Sequence, residues 1–205
     1  MTVQATTGSS NRPAITIKLA STSDELMQCY MLRAAVFMGE QACPYWEEYD
    51  GNDYSASHLM LYVDGEPAAS MRVRWFAGFA KLERAVILKR YRSYGLFIPF
   101  VEWAKEFCRK KGYPKAYLHG QKRLWEIFER DGFRRVGEVF HFSDHEYGAF
   151  VCDLEVDEKT QPTVLTDPMV LNRPEDRLDM KGILEESMDR GASCPHAEWT
   201  ERRAS

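Results

Sequence analysis

The sequence predicts a mixed α/β fold, with a mostly antiparallel sheet flanked by helices. Apolar runs of strand length alternate with three segments of helical pattern, and Asp64-Gly65 is a turn signal between two adjacent strands. The predicted order is strand, helix, hairpin and strand, helix, strand, helix, then two strands. Such an order contains one or two parallel strand pairs, because consecutive strands joined by short turns are antiparallel.

Local patterns predict the elements of the first half. Residues 15–20, ITIKLA, alternate apolar and polar side chains as a half-buried strand does. Ser23 with Asp24 can cap a helix over residues 25–37, in which apolar residues recur at spacings of three and four. A loop rich in Pro, Tyr, Trp and acidic residues follows, and the predicted hairpin then covers residues 58–76.

The second half is predicted to contain four strands and two helices. The strands fall at residues 81–88, 115–120, 134–140 and 147–155. The first helix runs from about Leu96 to Lys111, and the second covers residues 122–133 and ends near Gly132. The first of these helices follows a strand directly, so a sharp strand-to-helix turn is predicted around residue 95.

The chain is predicted to divide into three parts. Residues 1–13 are rich in Gly, Ser, Thr and Pro and are expected to form a flexible arm. Residues 14–154 form the α/β domain. Residues 155–205 form an acidic C-terminal extension with 12 acidic and 7 basic residues, and its one short helix is predicted between Asp179 as cap and Gly191 as stop.

Composition argues against several classes of protein. The net charge of −4, without a long basic stripe, argues against nucleic-acid binding. The five cysteines are scattered without a CxxC pair, which favours reduced thiols over disulfides or a zinc site. No signal peptide and no apolar run of about 20 residues is found, so a cytoplasmic protein without a membrane span is expected. The segment HFSDHEY contains His141, Asp144 and His145, but it falls at a strand end, and no metal site is predicted.

The strand-to-helix turn RYRSYGLF, residues 90–97, has the location of an anion-binding loop. The first N–H groups of a helix lack intrahelical partners, and the helix dipole favours an anion there. The loop contains one glycine, Gly95, where phosphate-binding loops usually have two or three. An ordinary turn, in which Gly95 only relieves backbone strain, is the alternative.

Three segments together resemble the GNAT superfamily of acyl-CoA-dependent N-acyltransferases, over roughly residues 15–154. The first is similar to a GNAT branch with the pattern LR-x-x-VF-x-x-EQ, an acidic E-x-D-x-x-D, a histidine and a strand ending in A-x-x-R. The matching residues are Arg33, Phe37, Glu40, Gln41, Glu48, Asp50, Asp53, His58 and Arg72. The second, KLERAVILKRYRSYGLF, resembles the family's strand and pyrophosphate loop. The third, LHGQKRLWEIFERDGFRRVGEVF, resembles its strand, helix and FYEKLGF turn.

The resemblance implies an acetyl-CoA or other acyl-CoA donor. Its pantetheine arm would lie against the strand residues Ala85, Val86 and Ile87. The pyrophosphate would meet the backbone N–H groups of Arg92, Ser93, Tyr94, Gly95, Leu96 and Phe97, with Lys89, Arg90 and Arg92 adding positive charge. Two departures matter: the third loop position, normally Gly or Ala, is Phe97, and Phe128 stands where many relatives have a tyrosine that protonates the departing thiolate.

Acyl transfer to an amine also needs a base, because a primary amine with a pKa near ~10 is mostly protonated at pH 7. Glu83, on the strand beside the thioester, is the first candidate; an ion pair with Arg84, Arg72 or Arg74 is the alternative role for it. His119, at the end of the next strand, is a second candidate base. Tyr147 is a candidate acid in place of the missing tyrosine.

Several charged residues are candidates for binding the acceptor. Glu48, Asp50 and Asp53 suit a cationic acceptor or the ammonium group of an amino acid, while Arg72 and Arg74, two apart on one strand, suit a carboxylate. Arg33 and Phe37 belong to the same first-half motif, and solvated loop charge is the alternative for the acidic residues.

Three functions are compatible with these residues. The first is transfer of an acyl group from CoA to a small amine or amino acid. The second uses acyl carrier protein as donor, because acyl-homoserine-lactone synthases and N-acyl amino acid synthases resemble the first half of this chain and lack the full glycine loop. The third is a non-catalytic binding module. The sequence leaves open the acceptor, the acyl chain length and the oligomeric state, a homodimer included.

Overall fold

One seven-stranded sheet organises the molecule. The computed structural model describes residues 12–142, 145–156, 169, 172–175 and 180–186. The strands are β1 (Ile15–Leu19), β2 (Ser57–Val63), β3 (Glu66–Phe76), β4 (Phe79–Ile87), β5 (Lys115–Gln121), β6 (Arg134–Phe142) and β7 (His145–Asp153). They are arranged in the order β1-β2-β3-β4-β5-β7-β6, and only β4 and β5 pair in parallel. The predicted mixed, mostly antiparallel fold is confirmed.

The helices that lie between the first and last strands along the chain flank this sheet. The α-helices are α1 (Ser23–Arg33), α2 (Tyr45–Glu48), α3 (Phe97–Lys110), α4 (Trp125–Arg130) and α5 (Ile183–Glu186). A π-helix over Ala34–Glu40 continues α1, and short 3-10 helices cover Lys89–Tyr94 and Lys122–Leu124. Ser23 and Asp24 do not cap α1. Thr22 does, because its side-chain oxygen accepts from the Glu25 N–H at 3.2 Å, which places the cap one residue earlier than predicted.

The two faces of the sheet carry separate apolar cores. On β2, Leu59, Leu61 and Val63 belong to the larger core, which includes the apolar face of α3. Met60, between them in sequence, packs instead with Cys29 of α1. Because successive strand residues point to opposite faces, one strand supplies both cores. Helix α1 therefore covers one face of the sheet and α3 the other.

The parallel pair β4 and β5 separates part-way along its length. Paired residues run from Ala80↔Ala116 to Leu82↔Leu118 and stop there. Beyond Leu82, β4 is bulged, since the register with β3 shifts between Ser70 and Arg72. Arg84, in this bulge, has a φ of 51°, a left-handed conformation that is uncommon outside glycine. The sheet therefore opens between the C-terminal ends of its two central strands.

The chain divides into two compact units, Met1–Gln161 and Pro162–Ser205. In the second unit, Arg173 forms an ion pair with Glu185 at 2.6 Å, and Glu185 also accepts from the Gly182 N–H at 2.7 Å. The predicted N-terminal arm falls almost entirely outside the described residues, as do the predicted cap Asp179 and stop Gly191. Within the described part of the chain, no helix is long and apolar enough to cross a membrane.

Gly120 on β5 is predicted to be intolerant of a side chain. A Cβ atom built there would lie 2.3 Å from Cε2 of the buried Phe128 ring. Forcing a methyl group into such a packed site costs about 1–3 kcal/mol. We expect Gly120→Ala to lower the free energy of unfolding by this amount in urea denaturation.

Gly39→Ala is the matched control for this substitution. A Cβ there meets its nearest atom, the Ala34 carbonyl oxygen, at an ordinary 3.8 Å. We expect a small effect, in the stabilising direction, of less than about 1 kcal/mol. Equal unfolding free energies for the Gly120→Ala protein and the unmodified protein would contradict the packing of Phe128 against β5.

Candidate active site

Three adjoining cavities occupy the opening between β4 and β5. The large cavity, of about 730 Å³, is bounded by Ala85–Ile87 of β4, the loop before α3, and α4. The central cavity, of about 440 Å³, lies between the separated ends of β4 and β5. The outer cavity, of about 470 Å³, lies against α2 and the loop before it. Gln41 and Arg123 line all three, so the cavities meet at these two side chains.

The large cavity ends at the predicted anion-binding loop. The 3-10 helix Lys89–Tyr94 is followed by Gly95 with a φ of 68°, and α3 begins at Phe97. No side chain caps α3, so its first backbone N–H groups keep their hydrogen-bonding capacity. The left-handed Gly95 redirects the chain into the helix, and no atom lies within 4 Å of its would-be Cβ. The loop therefore presents free amides at the mouth of the cavity, as an anion site requires.

The side chain of Phe97 does not fill this loop. It is partly buried against the larger core, and its ring centroid lies 5.8 Å from that of Phe128. Both rings line the central cavity, and Phe97 also lines the large one. The large residue at the third loop position thus forms a wall between α3 and α4.

Of the cations predicted at the loop, Arg92 forms hydrogen bonds with other residues of the protein. Its Nη2 donates to Glu40 at 2.6 Å and its Nε donates to the Ile87 carbonyl at 3.0 Å. This arrangement ties the loop to β4 and to the end of the π-helix. Arg90 lies with its guanidinium 4.8 Å from the centroid of Tyr91.

The structure places Glu83, His119 and Tyr147 on the walls of the central cavity. Glu83 is held by cations: it accepts from Arg72 Nε at 3.0 Å, and Lys81 Nζ lies 2.8 Å from its other oxygen. The ion pair that the sequence offered as the alternative role for Glu83 is therefore formed with Arg72. The pair with Arg74 is longer, at 3.8 Å.

His119 has the environment of a neutral imidazole. Burial lowers its pKa below the ordinary value, and the positive charge of Lys81 lowers it further. Its Nε2 lies 2.9 Å from the Tyr117 hydroxyl, and its ring packs against Phe140 at 5.0 Å. At neutral pH such a histidine is unprotonated and can accept a proton.

A chain of hydrogen bonds fixes the proton of Tyr147. Arg123 Nε lies 2.8 Å from Gln121 Oε1, and Gln121 Nε2 lies 3.0 Å from the Tyr147 hydroxyl. A guanidinium can only donate, so the amide oxygen of Gln121 must face Arg123 and its NH₂ must face Tyr147. The Tyr147 oxygen therefore accepts a hydrogen bond, and its own O–H is left to donate into the cavity.

A buried ionic cluster lies behind the central cavity. Arg33 has no exposed surface; it pairs with Glu48, and its Nη1 lies 2.6 Å from Asp53. Its guanidinium carbon also lies 5.5 Å and 5.7 Å from the ring centroids of Tyr30 and Tyr49. Arg33 thus joins the end of α1 to the acidic loop.

Arg72 is the centre of the same cluster. It has no exposed surface, and its guanidinium contacts Asp50 at 2.7 Å, Asp53 at 3.0 Å and Glu83 at 2.8 Å. Burial opposes the charge of both aspartates, but hydrogen bonds from Arg72 to both and from Arg33 to Asp53 hold their pKa values below the ordinary value. Five donors of one guanidinium are thereby engaged by three carboxylates from two segments of the chain.

The cluster also holds the strained residue of β4. Arg84 Nε lies 3.1 Å from Glu48, and Arg84 Nη2 donates to the Glu47 carbonyl at 2.6 Å. A non-glycine residue in the left-handed region costs of order 1–3 kcal/mol and persists only when its surroundings hold it. The ion pairs of Arg84 supply that support, so the bulge that opens the cleft depends on the cluster.

Five of the residues that the sequence assigned to acceptor binding form ion pairs with one another. Glu48, Asp50 and Asp53 are bound to arginines of their own chain, and Arg33 and Arg72 are buried in the same pairs. The charges of these five groups are thus engaged by one another in this structure.

The other two residues predicted to bind the acceptor are not among these five. Phe37 lines the central and outer cavities, as an acceptor residue would. Arg74 shares a strand with Arg72 but lines none of the three cavities. Its guanidinium carbon lies instead 5.0 Å from the Phe76 ring centroid, at the far end of β3.

Sequence reasoning missed several residues that the cavities bring together. They are Gln41, Glu47, Gln121, Arg123, Phe140 and Phe142. Gln41 belongs to the EQ pattern, which gave a signal for it. Arg123 and Gln121 gave none, because a polar residue just after a strand is common in any loop.

Comparison with known proteins identifies the family. No family model matches the chain. A Bacillus subtilis protein that carries the name of an acetyltransferase is 32% identical over 127 residues, covering 60% of this chain and 86% of that protein. The structure of an acyl-CoA N-acyltransferase from Pseudomonas aeruginosa is 30% identical, with a TM-score of 0.62, and covers 68% of this chain and 99% of that one. The chain belongs to the GNAT superfamily.

More distant structures share the GNAT fold alone. The acyl-homoserine lactone synthase BjaI, whose structure contains SAM and isopentyl-CoA, matches with a TM-score of 0.59 at 17% identity, over 82% of this chain and 92% of that one. A GNAT acetyltransferase from Elizabethkingia anophelis with acetyl-CoA bound matches at 0.55 and 11% identity, over 68% and 98%. The resemblance stated for the sequence is thus confirmed, and the protein is an acyltransferase.

Arg72 is predicted to be the most sensitive residue of the ionic cluster. Removing its charge leaves three carboxylates without their shared partner, and breaking a buried pair in this way costs about 3–5 kcal/mol. We expect Arg72→Gln to lower the unfolding free energy by about that amount in urea. Arg74→Gln is the control, because the pair of the partly exposed Arg74 with Glu83 is longer, at 3.8 Å, and should contribute less than about 1 kcal/mol. Similar losses in both variants would contradict the assigned role of Arg72.

Proposed function

We propose that this GNAT protein transfers an acyl group from acyl-CoA to the primary amine of a small molecule. The large cavity takes the donor, the central cavity holds the thioester, and the outer cavity admits the acceptor. The observation that carries this proposal is the opening of the sheet beyond Leu82 and Leu118, with free helix amides at one end and ionisable side chains at the other.

The donor would lie along β4 with its diphosphate at the loop. Ala85, Val86 and Ile87 line the large cavity, and β4 has no registered partner on this side, so its backbone groups can pair with the amides of pantetheine. The diphosphate would then meet the uncapped amides around Gly95 and Phe97. Acetyl-CoA bound to the Elizabethkingia anophelis relative supports an acyl-CoA donor for this chain.

The groups around the central cavity suit each step of acyl transfer. His119 would take a proton from the amine, directly or through water, and the amine nitrogen would then attack the thioester carbon. The backbone N–H groups of Ala85 and its bulged neighbours would stabilise the oxyanion. As the C–S bond breaks, the Tyr147 hydroxyl would protonate the thiolate. Glu83 is held by Arg72 and Lys81. It would position the groups around the reacting atoms and balance their charge.

Acyl carrier protein is the alternative donor, but BjaI, the acyl-homoserine lactone synthase that shares this fold, is described as CoA-dependent. No contact within the described residues favours a carrier protein over CoA. The non-catalytic alternative is not carried forward, because the chain is an acyltransferase by family. A cytoplasmic location and a homodimer remain predictions.

Gly95 provides the test of the donor site. Gly95→Val places a β-branched residue at a φ of 68°, which distorts the loop without a clash, since no atom lies within 4 Å. We expect its affinity for acetyl-CoA, measured by calorimetry at moderate salt, to fall at least about tenfold, or 1.4 kcal/mol. Gly78→Val is the control, because Gly78 has a φ of 82° in the β3–β4 turn, with equally open surroundings. Equal affinity in the two variants would refute the loop assignment.

The pH dependence of the rate tests the base. A general base contributes about 10²–10⁴-fold where the amine is protonated, and less once alkaline pH deprotonates the amine. We expect His119→Gln to reduce kcat/KM by roughly this factor at pH 7 and by much less near pH 10. For Glu83→Gln we expect a reduction that is constant across this range. The reverse pattern would make Glu83 the base.

A further inference from the structure

The outer cavity contains one carboxylate and one guanidinium that are not paired with each other or with a neighbour. Four Asp, Glu, Lys or Arg residues line it: Glu47, Glu48, Arg84 and Arg123. Glu48 is paired with Arg33 and with Arg84, at 3.1 Å from the latter. Arg84 is also paired with Asp50 at 3.3 Å. Among the described residues, neither Glu47 nor Arg123 has an oppositely charged side chain in ion-pair range. The charges left over in this cavity are therefore one negative and one positive.

Arg123 is held with its outer edge open. Its Nε donates to Gln121 Oε1, which fixes the plane of the guanidinium and leaves both terminal nitrogens to bind a ligand. Two parallel N–H groups match the geometry of a carboxylate. Arg123 also lines the large and central cavities, so a carboxylate on it would lie beside the reacting thioester.

Glu47 presents the complementary charge from α2. The one side-chain contact of its carboxylate in the described structure is the weak thiol donor of Cys43, at 3.8 Å. A carboxylate in a cavity wall without a cation attracts an ammonium group. The rings of Phe37, Phe142 and Tyr147 line the same cavity and supply apolar surface for the rest of an acceptor.

We infer that the acceptor is an amino acid, bound through its carboxylate to Arg123 and attracted through its ammonium group to Glu47. This assignment rests on the proposed acyl transfer and narrows its acceptor class. Arg123 takes the place of the two arginines that the sequence suggested for the carboxylate, because Arg72 is buried in ion pairs and Arg74 lines none of the three cavities. A plain amine satisfies Glu47 alone and leaves the guanidinium of Arg123 without a carboxylate partner.

Binding of matched ligands tests the acceptor class independently of turnover. The ligands are L-amino acids and ω-amino acids, and each is compared with the amide or amine that lacks its carboxylate. They are titrated calorimetrically into the protein saturated with CoA. We expect at least one amino acid to bind roughly 10- to 100-fold more tightly than its partner, the factor expected for hydrogen bonds to a charged group. Arg123→Gln should remove this preference.

Arg130→Gln is the control variant, because Arg130 is exposed and lines the large cavity but not the outer one. It should retain the preference for the carboxylate. Equal binding of both members of every pair, or a preference that survives Arg123→Gln, would overturn the assignment. The assignment would also be overturned if Arg123→Gln weakened the binding of succinyl-CoA relative to acetyl-CoA and did not change the binding of amino acids. Arg123 would then bind a carboxylate of the donor. If amino acids bind through Arg123 but no amine is acylated, the acyl transfer fails and the amino acid site stands.

Discussion

The pairing of Arg72 with three carboxylates is the interaction on which the rest of the site depends. Its guanidinium joins Asp50 and Asp53 of the acidic loop to Glu83 of β4. Arg33 extends the same cluster to α1. An arginine is the residue that can do this, because its planar group offers five donors and stays charged when buried. Either arginine without its partners would be an uncompensated charge in the protein interior, at a cost of several kcal/mol.

What this cluster stabilises is an opening in the sheet. Two parallel strands would ordinarily stay paired and leave no space for a ligand between them. Here the bulge at Arg84 turns β4 away from β5 after three paired positions, and the ion pairs of Arg84 hold its left-handed backbone. The cleft is therefore created by backbone geometry and maintained by electrostatics. Its walls also receive side chains from β5 and from the neighbouring strand β7, which brings His119 and Tyr147 into one cavity.

The parts of this structure that follow from short stretches of sequence were predictable. Alternation of apolar and polar residues located β1, the Asp64-Gly65 turn signal located the hairpin of β2 and β3, and the sharp strand-to-helix turn lies around Gly95 as predicted. The cap of α1 was misplaced by one residue, because Thr22, Ser23 and Asp24 are all good capping residues and local preference alone does not choose among them. Element ends generally depend on such small differences.

The charged residues of the site could not be assigned from sequence for a different reason. Arg33, Glu48 and Arg72 have the composition of a ligand site, and whether such groups face a cavity or one another depends on partners 15 to 22 positions away. The sequence predicted that they bind the acceptor, whereas in the folded protein they pair within one ionic cluster. Conversely, Arg123 belongs to no recognisable sequence motif. Its importance comes from meeting three cavities at once, which is a property of the fold.

The structure of the protein with CoA bound would test most directly whether the opening of the sheet is the donor site. We predict that the pantetheine arm lies between the separated ends of β4 and β5, beside Ala85, with the diphosphate on the amides around Gly95 and Phe97. The bulge at Arg84 and its ion pairs should be unchanged, because contacts with Glu48 and the Glu47 carbonyl hold this backbone conformation. A CoA molecule bound elsewhere, or strands β4 and β5 paired along their full length, would contradict the central claim.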